Sequence, residues 1–394
     1  MADFKNSKKF KGGIRLDAST DTAPTIVEGE EAAAVGSMYV DTNGTLKIFN
    51  GSAWDSVGSG AGTTNYISTA DSKVDTIANF NLYDDGDVAI VQGIGYPNSN
   101  RSHFRGMDIW HTCEPDKIVT EGWLGKTIRE LDPDGENVVT GVSFGKGLPR
   151  AMVSPGVPVT SVSDLDAFGV MSNIAAQEQR DKALQVFERM YTPAIGAGMV
   201  SDYLAHTGTN ALASAGILGV VPGKYSSTVE YANNPIAKSL RDVAKVHLAG
   251  VGTRIFYTQH GGYDTHATQL ASHPRLLSEV TGAIMDFFQD LKDHNASEEV
   301  VMLVFTEFGR RIKDNGSGTD HGSGGGAFLI GDRVRGGLYG QYPSLEFDQL
   351  ANGEDLGFNV DFRSVYTTLL EQWMGLDAVP LVNGKYDQLS PFLN

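Results

Sequence analysis

The chain predicts an α/β fold built on a mainly parallel sheet, and three observations carry that expectation. From about Ser68 onward, apolar runs of strand length alternate with amphipathic helical stretches, the order in which helices serve as crossovers between parallel strands. Two of the apolar runs, Arg254 to Tyr257 and Val300 to Phe305, lead into TQHGGYDTHATQ (Thr258 to Gln269) and FTEFGRRIKDNGSGTDHG (Phe305 to Gly322). Acidic and imidazole side chains therefore gather just past strand ends, where open α/β sheets place their ligands. The third observation is a change in composition near residue 65, before which Gly, Ser, Thr, Asp and Asn dominate.

The elements follow in order. Within residues 1–65, Met38 to Val40 and Leu46 to Phe49 read as short strands around Thr42-Asn43-Gly44, Asn-Gly being the strongest short hairpin signal. A second turn, Asn50-Gly51, leads to Trp54, and Gly58 to Thr64 (GSGAGTT) reads as a flexible linker. Two or three short strands bury too little to stand alone, so this segment is expected to dock on a partner or on the rest of the chain. Residues 66–394 form the second unit. Val88 to Ile94 is a buried-type strand ending in GYPNSNRSHF, a turn leading to a helix. Asn173 to Tyr191 and Ala237 to Ala249 read as amphipathic helices. In the helix from Leu277 to His294, Val280, Ile284, Phe287, Phe288 and Leu291 share one face. Asp361 is placed to cap a helix running through Trp373.

Bulk properties narrow the function. At 394 residues, 41% of them hydrophobic, the chain can bury a sizeable core. Its formal charge of −17 argues against bare nucleic acid or an anionic membrane as partner, since both demand a basic surface. The single cysteine, Cys113, excludes a disulfide framework and any Cys-rich zinc module and reads as a small buried side chain. The opening residues MADFKNSKKFKGG lack the apolar core of a secretion signal, and no window approaches the about 18 apolar residues of a membrane span. A soluble chain is expected.

Asp264, His266, Asp320 and His321 are the candidate metal ligands. Imidazole with carboxylate suits Zn²⁺ or Mn²⁺, and less clearly Mg²⁺ or Ca²⁺, which prefer oxygen shells. Taken singly, each is equally at home in turn chemistry; two Asp/His pairs, each after a strand, point to a shared site. Glu307 stands where a ligand or general base would, or else pairs with Arg310 three residues on, worth only about 0.2–0.5 kcal/mol on a helix. Arg310 could instead clamp an anion through its guanidinium fork. Ser102 opens a helix, either as a hydroxyl poised at a positive helix end or as a plain N-cap. His103, His111 and His260 are weaker candidates, and His206, His247, His273 and His294 read as ordinary helix or surface residues.

Six motifs, NRSHFRGMDIW (Asn100 to Trp110), GGYDTHATQ (Gly261 to Gln269), TEFGR (Thr306 to Arg310), GTDHG (Gly318 to Gly322), RGGLYGQYP (Arg335 to Pro343) and VDFRSVYTTLLEQWMGLD (Val360 to Asp377), together resemble the bacterial proteins grouped as domain of unknown function 1501, over residues 75 to 394. That family belongs to the alkaline phosphatase and sulfatase superfamily. The resemblance implies a doubly wound, mainly parallel sheet with helices on both faces and a metal centre at its carboxyl edge. It places Asp264 and His266 in one part of the centre and Glu307, Asp320 and His321 in the rest, with Ser102 as nucleophile attacking a phosphoryl or sulfuryl group. The sequence departs from the family pattern in one respect. Members begin with an apolar strand ending in a Gly-Gly-x-Asp turn, often after an export signal, whereas ISTADSKVDTIANFNLYDDGD offers only Asp71 and Asp75, neither after an apolar run. On that basis the centre lacks one carboxylate.

The passage GSMYVDTNGTLKIFNGSAWDSV is similar to β segments near the amino ends of bacteriophage tail-fibre and other virion proteins, where they attach a distal domain to the particle. Together the two resemblances imply a virion-associated protein of tail or fibre type, assembled in the host cytoplasm. It would contact other virion proteins through residues 1–65, as a homo-oligomer without coiled-coil heptads. Its phosphatase- or sulfatase-like domain would bind or modify a host surface glycan or another anionic ester, with or without a bound metal. The alternative is an active metal-dependent phosphate- or sulfate-ester hydrolase of bacterial origin.

Overall fold

The computed structural model describes residues 82–145, 147–169, 177–191 and 198–392, together with strand residues 38–40, 46–49 and 54–57. The chain divides into two compact units, Met1–Asn81 and Leu82–Asn394. In the first, β1 (Met38–Val40), β2 (Leu46–Phe49) and β3 (Trp54–Val57) form an antiparallel meander in which Met38 faces Ile48 and Phe49 faces Trp54. The first two strands have the bounds read from the sequence. The turn itself, the Gly58 to Thr64 linker, Asp71 and Asp75 lie outside the described residues.

The second unit opens with β4 (Val88–Gly95), α1 (His103–Thr112), α2 (Trp123–Leu131), β5 (Gly141–Phe144) and β6 (Thr160–Val162). It continues through α3 (Gln177–Tyr191), α4 (Met199–Leu218), α5 (Pro235–Leu248), β7 (Ile255–Thr258), α6 (Gln269–Asp293) and β8 (Met302–Val304). Then come β9 (Arg310–Asp314), β10 (Thr319–His321), β11 (Gly325–Ile330), β12 (Gly337–Tyr339), β13 (Val360–Asp361), α7 (Phe362–Thr368) and α8 (Val379–Val382). One sheet, in the order β6-β5-β7, is parallel throughout. The other runs β12-β4-β11-β8, with β13 also on β4, and is mixed: β12 and β13 lie parallel to β4, while β11 is antiparallel to both β4 and β8.

The expectation of a mainly parallel sheet is thus corrected to a mixed α/β architecture. The cause lies between Val304 and Gly325, where the chain folds into the β9–β10 hairpin rather than a helix. Parallel neighbours need a long crossover, usually helical, whereas a hairpin can return the chain beside the strand it left in the opposite sense.

Helix signals hold where capping chemistry supports them. Asn234 accepts the Ala237 N–H at 2.9 Å at the start of α5, and Asp361 accepts the Arg363 N–H at 2.9 Å at the start of α7. The helix expected through Trp373 gives way after Thr368 to a π-helical turn, Leu369–Trp373. The one expected from Leu277 begins earlier, at Gln269, and buries Ile284, Phe287, Phe288 and Leu291 as its periodicity requires. The helix expected from Asn173 is described from Gln177 onward.

Around β4 lies an aromatic core. The Trp110 ring, from the inner face of α1, stacks on Phe362 at 4.5 Å and on Phe305 at 5.2 Å, and meets Tyr366 edge-on. Tyr366 stacks on Trp123 at 4.0 Å and donates its hydroxyl to the Trp110 carbonyl. Cys113 is buried in the same cluster, as read from the sequence. The inner face of α1 thereby fixes its outer face, which begins at His103.

His111, also on α1, is buried with Nε2 3.0 Å from the Tyr257 hydroxyl. Burial, with a further push from Arg150, outweighs nearby carboxylates and lowers its pKa to about 4. The unfolded chain then binds a proton that the folded chain refuses, so stability should fall as pH drops below about 6.5 and level off below about 4, a loss of ~3 kcal/mol. Urea midpoints between pH 7 and pH 4 should therefore fall less steeply for His111→Gln than for the parent; equal slopes would refute the assignment.

Candidate metal centre

Four chain segments meet at one place, three of them just past the carboxyl ends of strands. The loop after β4 runs into α1, where Ser102 occupies the N-cap and His103 the first helical position. The loop after β7 carries Asp264 and His266, and the loop after β8 carries Glu307 and Phe308. The β9–β10 hairpin brings Arg310, Asp320 and His321. Its turn is built by Asn315, whose side-chain oxygen accepts the Ser317 and Gly318 N–H groups while its amide donates to the His266 carbonyl at 3.1 Å. Gly318 is needed there: a Cβ at this position would stand 2.3 Å from the Thr265 carbonyl oxygen. The hairpin can press against the Asp264–His266 loop only without a side chain at 318.

Three imidazoles face one carboxylate. His321 Nε2 lies 2.8 Å from Asp264 Oδ1, His266 Nε2 lies 2.9 Å from the same oxygen, and the two Nε2 atoms are 2.9 Å apart. His103 Nε2 is 3.2 Å from Asp264 Oδ2, yet it is buried and makes no hydrogen bond. Each ring is held from behind through Nδ1. His103 uses Glu307 Oε1 at 2.5 Å, His266 uses Asp320 Oδ1 at 3.0 Å, and His321 uses the Arg101 carbonyl at 2.7 Å.

These anchors fix the tautomers. A carboxylate or carbonyl can only accept, so each Nδ1 carries the hydrogen and each neutral ring presents a lone pair at Nε2. Three lone pairs and a carboxylate then crowd together, an arrangement that repels itself unless something positive lies among them, either a proton on a ring or a cation. Donors about 2.1 Å from one ion stand roughly 3.0–3.4 Å apart, close to the separations seen here. Imidazoles that donate their other N–H to a carboxylate or carbonyl are also the usual form of metal-ligating histidine. The nitrogen-rich donor set suits Zn²⁺ or Mn²⁺ better than Mg²⁺ or Ca²⁺.

Local electrostatics agree with a site that favours positive charge. Burial opposes ionisation of Asp264, but His321 and His103, wherever a proton sits on their Nε2, together with Arg310 outweigh it and hold the carboxyl well below its usual range. His103 is shifted the other way: burial lowers its pKa, and the carboxylates of Glu307 and Asp264 more than reverse that. Asp320 is held low by His266 and Asn315. Phe308 packs against both His103 and His321, with ring centroids 5.0 and 4.7 Å away, and walls one side.

Of the residues singled out in the sequence, Asp264, His266 and His321 come together with their polar atoms facing one another, whereas Glu307 and Asp320 stand behind the imidazoles. The Glu307–Arg310 helix pair does not form, because Arg310 sits in a strand. Nor is the Arg310 fork open to an anion: it donates to the carbonyls of Tyr263 at 2.6 Å and Thr319 at 2.8 Å and to Asp264 at 3.1 Å, bracing the loop. Ser102 is exposed and its hydroxyl makes no capping bond, leaving it free between Arg101 and His103. His260 packs with Tyr263 and Glu279, apart from the cluster.

Two contributors went undervalued. His103 sits just past a strand end like the others, and applying that rule to β4 would have raised it. Asp355 has no local signal. It is 0% exposed and binds Arg101 Nη2 at 2.6 Å and the Ser323 hydroxyl at 3.0 Å, so it fixes the residue whose carbonyl orients His321. Asp355→Asn should weaken Zn²⁺ or Mn²⁺ binding about 10-fold, as loss of outer partners does, with circular dichroism unchanged; titration calorimetry showing parental affinity would contradict the linkage.

The fold is mixed α/β, with imidazoles and carboxylates gathered past its strand ends, where open α/β sheets place their ligands. Residues 95–384 match the family described as Protein of unknown function (DUF1501), and the chain belongs to that family. No curated protein and no solved structure matches it. Among the described residues, no helix is long and apolar enough to cross a membrane.

Proposed function

We propose that the second unit is a divalent-metal-dependent hydrolase domain acting on phosphate or sulfate esters, of the doubly wound alkaline phosphatase and sulfatase type. The observation that carries this reading is the convergence of three Nε2 lone pairs on Asp264, each ring anchored through Nδ1. His103, His266, His321 and Asp264 would hold the ion, with Glu307 and Asp320 orienting imidazoles. When bound, the ion would polarise an ester oxygen and neutralise developing charge. The chain's own groups do the rest. Ser102, at the amino end of α1, presents an uncapped hydroxyl where the helix dipole favours an oxyanion or an anionic substrate. It would lose its proton and bond the phosphoryl or sulfuryl centre as the ester's P–O or S–O bond breaks and the alcohol leaves, and water would then hydrolyse the Ser102 ester. His103 supplies an early ligand after β4, which offsets the missing Gly-Gly-x-Asp carboxylate.

The test is hydrolysis of para-nitrophenyl phosphate and para-nitrophenyl sulfate by full-length protein loaded with Zn²⁺, Mn²⁺, Mg²⁺ or Ca²⁺. Turnover with one ion, abolished in Ser102→Ala while metal stays bound, is the expected result. No turnover with any ion on either ester would remove the catalytic reading and leave a binding domain.

A second proposal rests on the β1–β3 meander and concerns setting. Residues 1–65 would attach the protein to other components of a bacteriophage tail or fibre, as a homo-oligomer presenting its domain to a host surface polymer. Mass spectrometry of purified particles should find the chain, and its absence would favour a free bacterial hydrolase.

A further inference from the structure

An open groove of about 660 Å³ runs along the outer face of α1, lined chiefly by Phe104, Met107, Asp108, Ile118 and Arg150, and by His103 and Glu307 at one end. It therefore adjoins the imidazole cluster through two residues that belong to both. Phe104 is 91% exposed and Ile118 77% exposed. Together they place two large apolar side chains on one open face beside a polar cluster. The rest of the lining is polar and balanced. Asp108 pairs with Arg105 at 2.5 Å and with Arg150 at 2.9 Å, and Glu307 supplies the second negative charge, so with His103 neutral the formal charges cancel.

Each feature excludes an occupant. A lipid chain would dehydrate the Arg150–Asp108 pair and give it nothing in return. A polyanion or a polycation would find no net charge to meet in a groove whose charged groups cancel. A polyhydroxyl ring satisfies both parts, since its C–H face covers an aromatic ring while its hydroxyls both donate to carboxylate and accept from guanidinium. The depression is open along one side, a form that suits a chain lying on the surface rather than an enclosed small molecule.

We propose that this groove holds the saccharide part of a phosphorylated or sulfated glycan, with Phe104 as the stacking platform, the Arg150–Asp108 pair bonding the ring hydroxyls, and the ester group lying at Asp264. This rests on the hydrolase reading and names its substrate class. An acid ester bound at Asp264 must project its alcohol out of the centre, and the groove begins at His103.

The experiment is a glycan array carrying neutral, phosphorylated and sulfated saccharides, probed with the full chain purified without chelator, its Phe104→Ala and Ile118→Ala variants, and a His266→Ala/His321→Ala variant. Metal content is measured on each preparation. Both groove side chains are exposed, so the fold should survive their loss. Retention of esterified glycans by the parent, reduced roughly five- to tenfold in Phe104→Ala with metal content unchanged, is expected. Loss of preference for esterified over neutral glycans in the double-histidine variant, with Phe104-dependent binding kept, would also support the groove. An array on which the parent retains no glycan, or on which Phe104→Ala binds equally, overturns the proposal even where metal is present. Metal-free parent protein would instead count against the centre alone.

Discussion

His321→Ala should abolish stoichiometric metal binding. The parent, purified without chelator, is expected to carry about one Zn or Mn ion per chain, and the variant close to none by elemental mass spectrometry. His321 has the largest effect because it sits in the middle of the cluster: its Nε2 meets both Asp264 Oδ1 and His266 Nε2, and its ring packs edge-on against His103 at 4.3 Å. Losing it should cost more than the ~10–100-fold typical of an outer partner. His206, a helical histidine away from the cluster, is the control, and His206→Ala should keep its metal. A metal-free parent would mean that the close-set imidazoles are reconciled by protons alone, and equal loading of parent and His321→Ala would place the ion elsewhere.

Trp110→Ala should destabilise the second unit by about 3–5 kcal/mol, the range for removing a large aromatic from a packed core. Trp110 is 1% exposed and sandwiched between Phe305 and Phe362, so no neighbour can fill the void by a simple rotamer change. Its indole N–H makes no hydrogen bond, which makes Trp110→Phe the informative contrast. That variant keeps an aromatic ring and relieves a buried unpaired donor, so it should cost much less. Chemical denaturation followed by far-ultraviolet circular dichroism would measure both, and a Trp110→Ala loss below about 1 kcal/mol would show that the stack contributes little. Because α1 carries Trp110 inward and His103 outward, the same variant should also weaken metal binding.

What the sequence reveals and what it hides divide along range. Met38–Val40 and Leu46–Phe49 were readable because an Asn-Gly turn acts over a few residues, and the Asp361 cap because it bonds an N–H two positions away. The face of α6 was readable from spacing alone. The reversed direction of β11 was not, since strand direction depends on which neighbours a strand finds, and the apolar run itself is silent on that. α4 carries no clean apolar stripe in MVSDYLAHTGTNALASAGIL, so spacing does not mark it. At the cluster, residue types past strand ends drew Asp264, His266 and His321 out of the sequence, and the fold brings them together, but their partners emerged only from contacts. Glu307 became a support for His103 across 204 positions, and Asp355 joined through Arg101 across 254. No local pattern encodes pairings at such distances.

The Nδ1 anchors have a thermodynamic meaning beyond orientation. In small zinc-folded modules the ion and the fold arrive together, and a chelator unfolds the chain. Here the rings are already held by Glu307, Asp320 and the Arg101 carbonyl, and the hairpin seated at Gly318 locks their loops. The conformational cost of assembling the donors falls on folding and is absent from ion capture. The empty and loaded forms should therefore share one shape, and one sample could be stripped and recharged with ion after ion, letting the protein itself rank its metals.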